Sequence, residues 1–161
     1  MAEVSPNKII NPIYKLRMMG LCFIWYNYSM KKGYKDNIET LTKENTNFRK
    51  VLYTGEQSQL VLMSLLPGEE IGSEVHPDND QFFRFEAGTG KVVINETEYE
   101  VGDGDAVIVP KGATHNVINT GTDGLKLYTI YMPAHHKDGI VRETKAEASS
   151  NEADFDGLTT E

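Results

Sequence analysis

Between residues 36 and 132 the sequence is cut into short apolar-rich runs, each bounded by Gly, Pro, Asn or Asp, and no segment there holds an apolar period of 3.6 residues over three turns. This rhythm constrains the fold more than any other feature. Runs of four to eight residues are too short to bury the face of a long helix but match strands, and many short strands at this spacing require two packed sheets or a closed barrel. The runs are 48–53, 59–66, 81–85, 91–94, 97–101, 105–109, 115–119 and 125–132, and the first two are separated by a turn at Thr54-Gly55-Glu56. The expected class is therefore all-β.

The flanks differ in composition. Residues 1–29 carry three basic residues against one acidic, the only cysteine (Cys22), the only tryptophan (Trp25) and the apolar run 21–26. Lys8, Lys15 and Arg17 ahead of residues 18–26 resemble a secretory leader, but Asn27-Tyr28-Ser29 follows where small residues are needed for cleavage. We expect 1–29 to be an N-terminal extension outside the core, 30–145 to be the domain, and 146–161 to be a flexible tail with at most one helical turn near 144–148. The tail has five acidic residues and no basic one, and few large apolar groups. A length of 161 residues suits one domain with a real core. A net charge of −8 repels phosphate backbones and anionic lipid, so neither nucleic acid nor a membrane surface is an expected partner. A single cysteine permits no intrachain disulfide, which fits a cytoplasmic location.

Four residues suggest chemistry. Glu74 and His76 are two apart on an extended stretch, so both side chains project from one face. Gln81 opens the next strand after the turn Pro77-Asp78-Asn79-Asp80, and His115 starts a later strand after Pro110-Lys111-Gly112. Meeting inside a barrel, they would offer two imidazoles, one carboxylate and one amide oxygen. Such a set with open positions suits one divalent ion, Zn(II), Mn(II) or Fe(II). The alternative is a metal-free barrel with His76 and His115 as hydrogen-bonded interior groups.

These residues carry a resemblance to the cupins. The first cupin motif is Gly, five residues, His-x-His, three or four residues, Glu, six residues, Gly. Here Gly68 is followed by residues 69–73, Glu74-Val75-His76, residues 77–80, Gln81, residues 82–87 and Gly88. The second motif is Gly, five residues, Pro-x-Gly, two residues, His, three residues, Asn, and Gly104, Pro110-Lys111-Gly112, His115 and Asn119 match every fixed position. The first motif matches in spacing and departs at two ligand positions, with Glu74 for His and Gln81 for Glu. Asp80 cannot take the carboxylate position, because its closing glycine would fall on Ala87; it reads as a turn residue. The resemblance spans about 30–145. It implies a double-stranded β-helix, the jelly-roll barrel of a small single-domain cupin, and a homodimer.

The ligand set resembles that of the zinc-dependent mannose-6-phosphate isomerases, in which, however, Gln precedes the first His and Glu comes later. Cupin lyases that rearrange unsaturated uronates also carry Gln at the position of Gln81. The resemblance therefore implies a metal-dependent isomerase or lyase acting on a small sugar or keto acid. An Fe(II) dioxygenase and a non-catalytic small-molecule binder are the alternatives. Glu74 is a candidate general base only if it does not ligate. His135 and His136 are expected as surface imidazoles beyond the last strand, and Arg84 is expected to face outward. Met63, Phe83, Phe85, Val117 and Tyr131 are expected in the core.

Overall fold

A computed structural model describes residues 31–161. The extension 1–29, with its leader-like run, lies outside the described residues. Residues 31–161 make one compact unit of ten strands and two short helices. The strands are β1 (Arg49–Thr54), β2 (Gln59–Leu65), β3 (Glu74–Val75), β4 (Asp80–Ala87), β5 (Thr89–Ile94), β6 (Thr97–Gly102), β7 (Ala106–Val109), β8 (Thr114–Asn119), β9 (Leu125–Met132) and β10 (Val141–Arg142). They form a six-stranded sheet, β10-β1-β2-β9-β4-β7, and a four-stranded sheet, β3-β8-β5-β6, with every pairing antiparallel. This is a double-stranded β-helix, the class the rhythm and motifs imply.

Alternation places the core. In β4, Gln81, Phe83 and Phe85 are buried while Phe82 and Arg84 are less so. Across β9 the same face continues through Tyr131, Thr129 and Leu127, and across β2 through Gln59, Val61 and Met63. Val92 and Val117 close the core from the second sheet and are fully buried. Met63, Phe83, Phe85, Val117 and Tyr131 thus all sit in the interior, and Arg84 is partly exposed with Nε 3.5 Å from Glu86.

The glycine and asparagine of the two motifs have structural tasks. Gly88 has φ +86°, and a Cβ there would lie 2.7 Å from the Gly124 carbonyl oxygen. Only glycine allows the β4–β5 turn to pass so close to β9. Asn119 ends β8 by donating to the carbonyls of Leu65 (2.9 Å) and Asp123 (2.8 Å) and accepting from Gly121 N–H (2.9 Å). Asp80 accepts from Lys111 N–H at 2.8 Å, which ties the turn before β4 to the turn before β8.

Two elements depart from expectation. Helix α1 (Ile38–Glu44) precedes the first strand, within the stretch expected to be all-β. It is too short to show three turns of periodicity. Its signals are local: the Asn37 side chain caps Thr40 N–H, and Glu39 pairs with Lys43 one turn later. The acidic tail is the second correction, because it lies along the barrel. Helix α2 (Lys145–Ser150) is capped by Thr144 and buries Ala148, 2% exposed, in the core. Glu152 pairs with Arg49, the backbone of Asp154 lies antiparallel to that of His136, and the Thr160 side chain accepts from Thr54 N–H. Composition pointed to solvation, but one of those carboxylates neutralises a buried arginine on β1.

Candidate metal centre

The short strand β3 exists because of its pairing with β8, in which Glu74 lies directly opposite His115. Directly opposed residues share a face, and alternation adds His76. The Gly112 N–H donates to the His76 carbonyl at 2.8 Å, so the second motif's turn holds the residue that follows β3. Gln81 comes from the facing sheet, between Val109 and Tyr131.

The side chains converge. Donor atoms of Glu74, His76 and His115 all lie within 4.8 Å of one another. Glu74 Oε2 is 3.4 Å from His76 Nε2 and 4.0 Å from His115 Nε2. Three buried polar atoms here have no hydrogen-bond partner among the described residues: His76 Nε2, His115 Nε2 and Gln81 Oε1. His115 Nδ1 lies 3.4 Å from the Ala113 carbonyl, a contact that favours the proton on Nδ1 and leaves the Nε2 lone pair free. The Gln81 amide donates to Thr129 Oγ1 at 3.0 Å, which orients the group and leaves its oxygen over. Orphaned buried atoms are costly without a shared partner, and these are the donor types a divalent ion takes. The residues present therefore fit a metal.

The charge states agree. Burial pushes the Glu74 carboxyl up, but His76 beside it, with Arg49 and His115, holds it net below its ordinary range, so it is an anion at neutral pH. Burial lowers His115, keeping its imidazole neutral. Burial also pushes the Tyr131 phenol well up, so it stays protonated.

The expectation for His135 and His136 is corrected. His136 is 1% exposed, and His135 is half-buried with its ring centroid 4.4 Å from that of His76. Burial, then the charges of His136 and His76, push His135 down to about 4. The pair follows β9, whose Tyr131 lies opposite Gln81, so only the strand register could have placed it beside the centre.

Two antiparallel sheets enclosing two imidazoles and a carboxylate define a double-stranded β-helix protein with an interior candidate metal centre. The sequence model described as "Cupin domain" matches residues 61–131, so the barrel carries a cupin domain. It is 47% identical over 127 residues to Uncharacterized protein YrkC of Bacillus subtilis, covering 75% of this chain and 68% of that protein. It is 40% identical over 129 residues to Uncharacterized protein L612 of Acanthamoeba polyphaga mimivirus, covering 76% and 81%. Among solved structures it resembles BH2720 of Bacillus halodurans, with a TM-score of 0.73 and 44% identity, covering 77% of this chain and 98% of that one.

Proposed function

We propose that the chain is a metal-dependent cupin that acts on a small oxygenated molecule, as an isomerase or lyase of a sugar or keto acid. The observation that carries this reading is the convergence of Glu74, His76 and His115, with the unpartnered Gln81 oxygen on the facing sheet. One carboxylate and three neutral donors leave a divalent ion with a net positive charge, which favours an oxygen-rich chelating substrate. A bound ion would polarise a carbonyl and its neighbouring hydroxyl, easing proton transfer at the adjacent carbon. The chain's own part is to present His76 and His115 as neutral donors, to supply one fixed negative charge at Glu74, and to exclude water with Phe83 and Tyr131. Glu74 holds the negative charge in this reading and is not assigned as a base.

A cytoplasmic homodimer is an accompanying proposal. Among the described residues strand β7 pairs only with β4 and exposes Ile108 (64%) at an edge of the six-stranded sheet, which a second copy would cover. Sedimentation of a strict monomer at micromolar concentration refutes that part.

The test of the activity begins with elemental analysis of protein expressed without chelator, where we expect one equivalent of Zn, Mn or Fe. Metal-loaded protein is then incubated in D₂O with phosphorylated aldoses, ketoses and keto acids. Deuterium appearing at the carbon next to the carbonyl is the expected result. Oxygen consumption in place of exchange selects the dioxygenase. Metal binding with neither exchange nor oxygen consumption selects the non-catalytic binder.

A further inference from the structure

Six buried polar atoms lack a hydrogen-bond partner among the described residues, and they form two groups. Three belong to the metal centre. The other three are Arg49 Nε and both ring nitrogens of His136, in a second polar cluster between the barrel wall and the C-terminal segment. His135 joins the two. Its ring is edge-on to His76 at 4.4 Å, edge-on to His136 at 4.7 Å, and stacked on Tyr131 at 5.3 Å.

The backbone of this pair is clamped by one side chain. Gln59, fully buried on β2, accepts from the N–H groups of His136 (2.8 Å) and His135 (3.3 Å). Its amide donates to the His136 carbonyl (2.6 Å) and to Thr54 Oγ1 (2.9 Å). The His136 ring is met from the other side by Glu152, whose Oε1 lies 3.3 Å from Nδ1 and 2.9 Å from Arg49 Nη1. Residues 153–155 run against 135–137: Lys137 N–H donates to the Ala153 carbonyl and Phe155 N–H to the His135 carbonyl, both at 2.9 Å. Among the described residues no hydrogen bond holds the His135 ring itself. Its orientation depends on the rings of His76, Tyr131 and His136.

We propose that His135 forms one wall of the metal centre and that Glu152, delivered by the C-terminal segment, is the positioning residue that holds it there through His136. The proposal rests on the metal reading above. It accounts for the burial of Arg49, 5% exposed, whose guanidinium anchors the carboxylate that sets the imidazole pair. It also gives the acidic tail a task at the site.

The test uses the full chain and Co²⁺ as the probe. Glu152→Gln keeps the shape and removes the charge. Because it leaves Arg49 buried beside a neutral group, a second variant, Arg49→Met with Glu152→Gln, removes both charges together. Three quantities are read: the ¹⁵N-imidazole resonances of His76, His135 and His136, the visible spectrum of the Co²⁺-loaded protein, and the Co²⁺ dissociation constant. Metal stoichiometry should be retained, because Glu74, His76 and His115 are untouched. The His135 and His136 resonances and the Co²⁺ spectrum should shift, and Co²⁺ should bind about tenfold more weakly, the lower end for residues that orient ligands. Glu152→Asp should restore part of both spectral signatures. Unchanged His135 resonances and an unchanged Co²⁺ spectrum in folded variants overturn the proposal. Wild-type protein that holds no Co²⁺ overturns the metal reading, and the His135 resonances of metal-free Glu152→Gln protein then decide the positioning claim alone.

Discussion

Acidification should destabilise the metal-free protein between pH 7.5 and 5, and buried imidazoles are the cause. His115, His135 and His136 all titrate below the ordinary histidine value in the folded chain, with burial the leading cause for each. The unfolded chain takes up these protons near pH 6.5, while the folded chain resists. Stability is therefore complete above 6.5 and is lost as pH falls from there toward the folded values. For His135, whose folded value is about 4, the full linkage loss by pH 5 is about 2 kcal/mol. Its ring is only half-buried, so solvent screening reduces this to about 1 kcal/mol. His115 and His136 act in the same direction. The Glu152 carboxyl does not contribute in this window: His136 and Arg49 hold it at about 2, so its effect on stability begins only below the ordinary carboxylate range. A loss of 1 kcal/mol corresponds to about 2–4 °C in Tm for a domain of this size. Calorimetry of chelator-treated protein at pH 7.5, 6 and 5 should show at least that fall, and His135→Asn should flatten the slope. A Tm that holds or rises on acidification, or an unchanged slope in His135→Asn, refutes the assignment of buried neutral imidazoles.

His76→Ala and His115→Ala should each abolish retention of a divalent ion, read by elemental analysis after dialysis. Glu74→Gln should leave the fold intact by circular dichroism and lower metal affinity substantially, while Gln81→Ala should weaken it less, because water can replace a neutral oxygen. Equal metal content in wild type, Glu74→Gln and His115→Ala would overturn the site. Gly88→Ala should destabilise by about 1–3 kcal/mol in urea titration, since the added Cβ meets the Gly124 backbone and the residue needs positive φ. Phe85→Ala should cost about 3–5 kcal/mol, because the ring is fully buried in the core; a loss under 1 kcal/mol would show that the core collapses around it.

Much of the fold was legible in sequence because strand information is local. Period-two alternation marks Gln81, Phe83 and Phe85 as one face, and Gly and Pro mark the turns between strands. The convergence of Glu74, His76 and His115 was legible for a related reason: two share a strand face, and spacing to Gly88 and Gly112 located the turns. The second polar cluster was not. His135 and His136 sit beyond a strand, Glu152 sits in a segment whose composition suggests solvation, and Arg49 looks like any surface arginine at the start of a strand. These four are brought together only by the antiparallel run of 153–155 against 135–137 and by the register of β1, β2 and β9. Residues about 100 positions apart in sequence leave no periodicity to read. A buried arginine also gives no local signal, because its cost appears only when the barrel removes its guanidinium from water, and its compensation only when the C-terminal segment brings Glu152 to it.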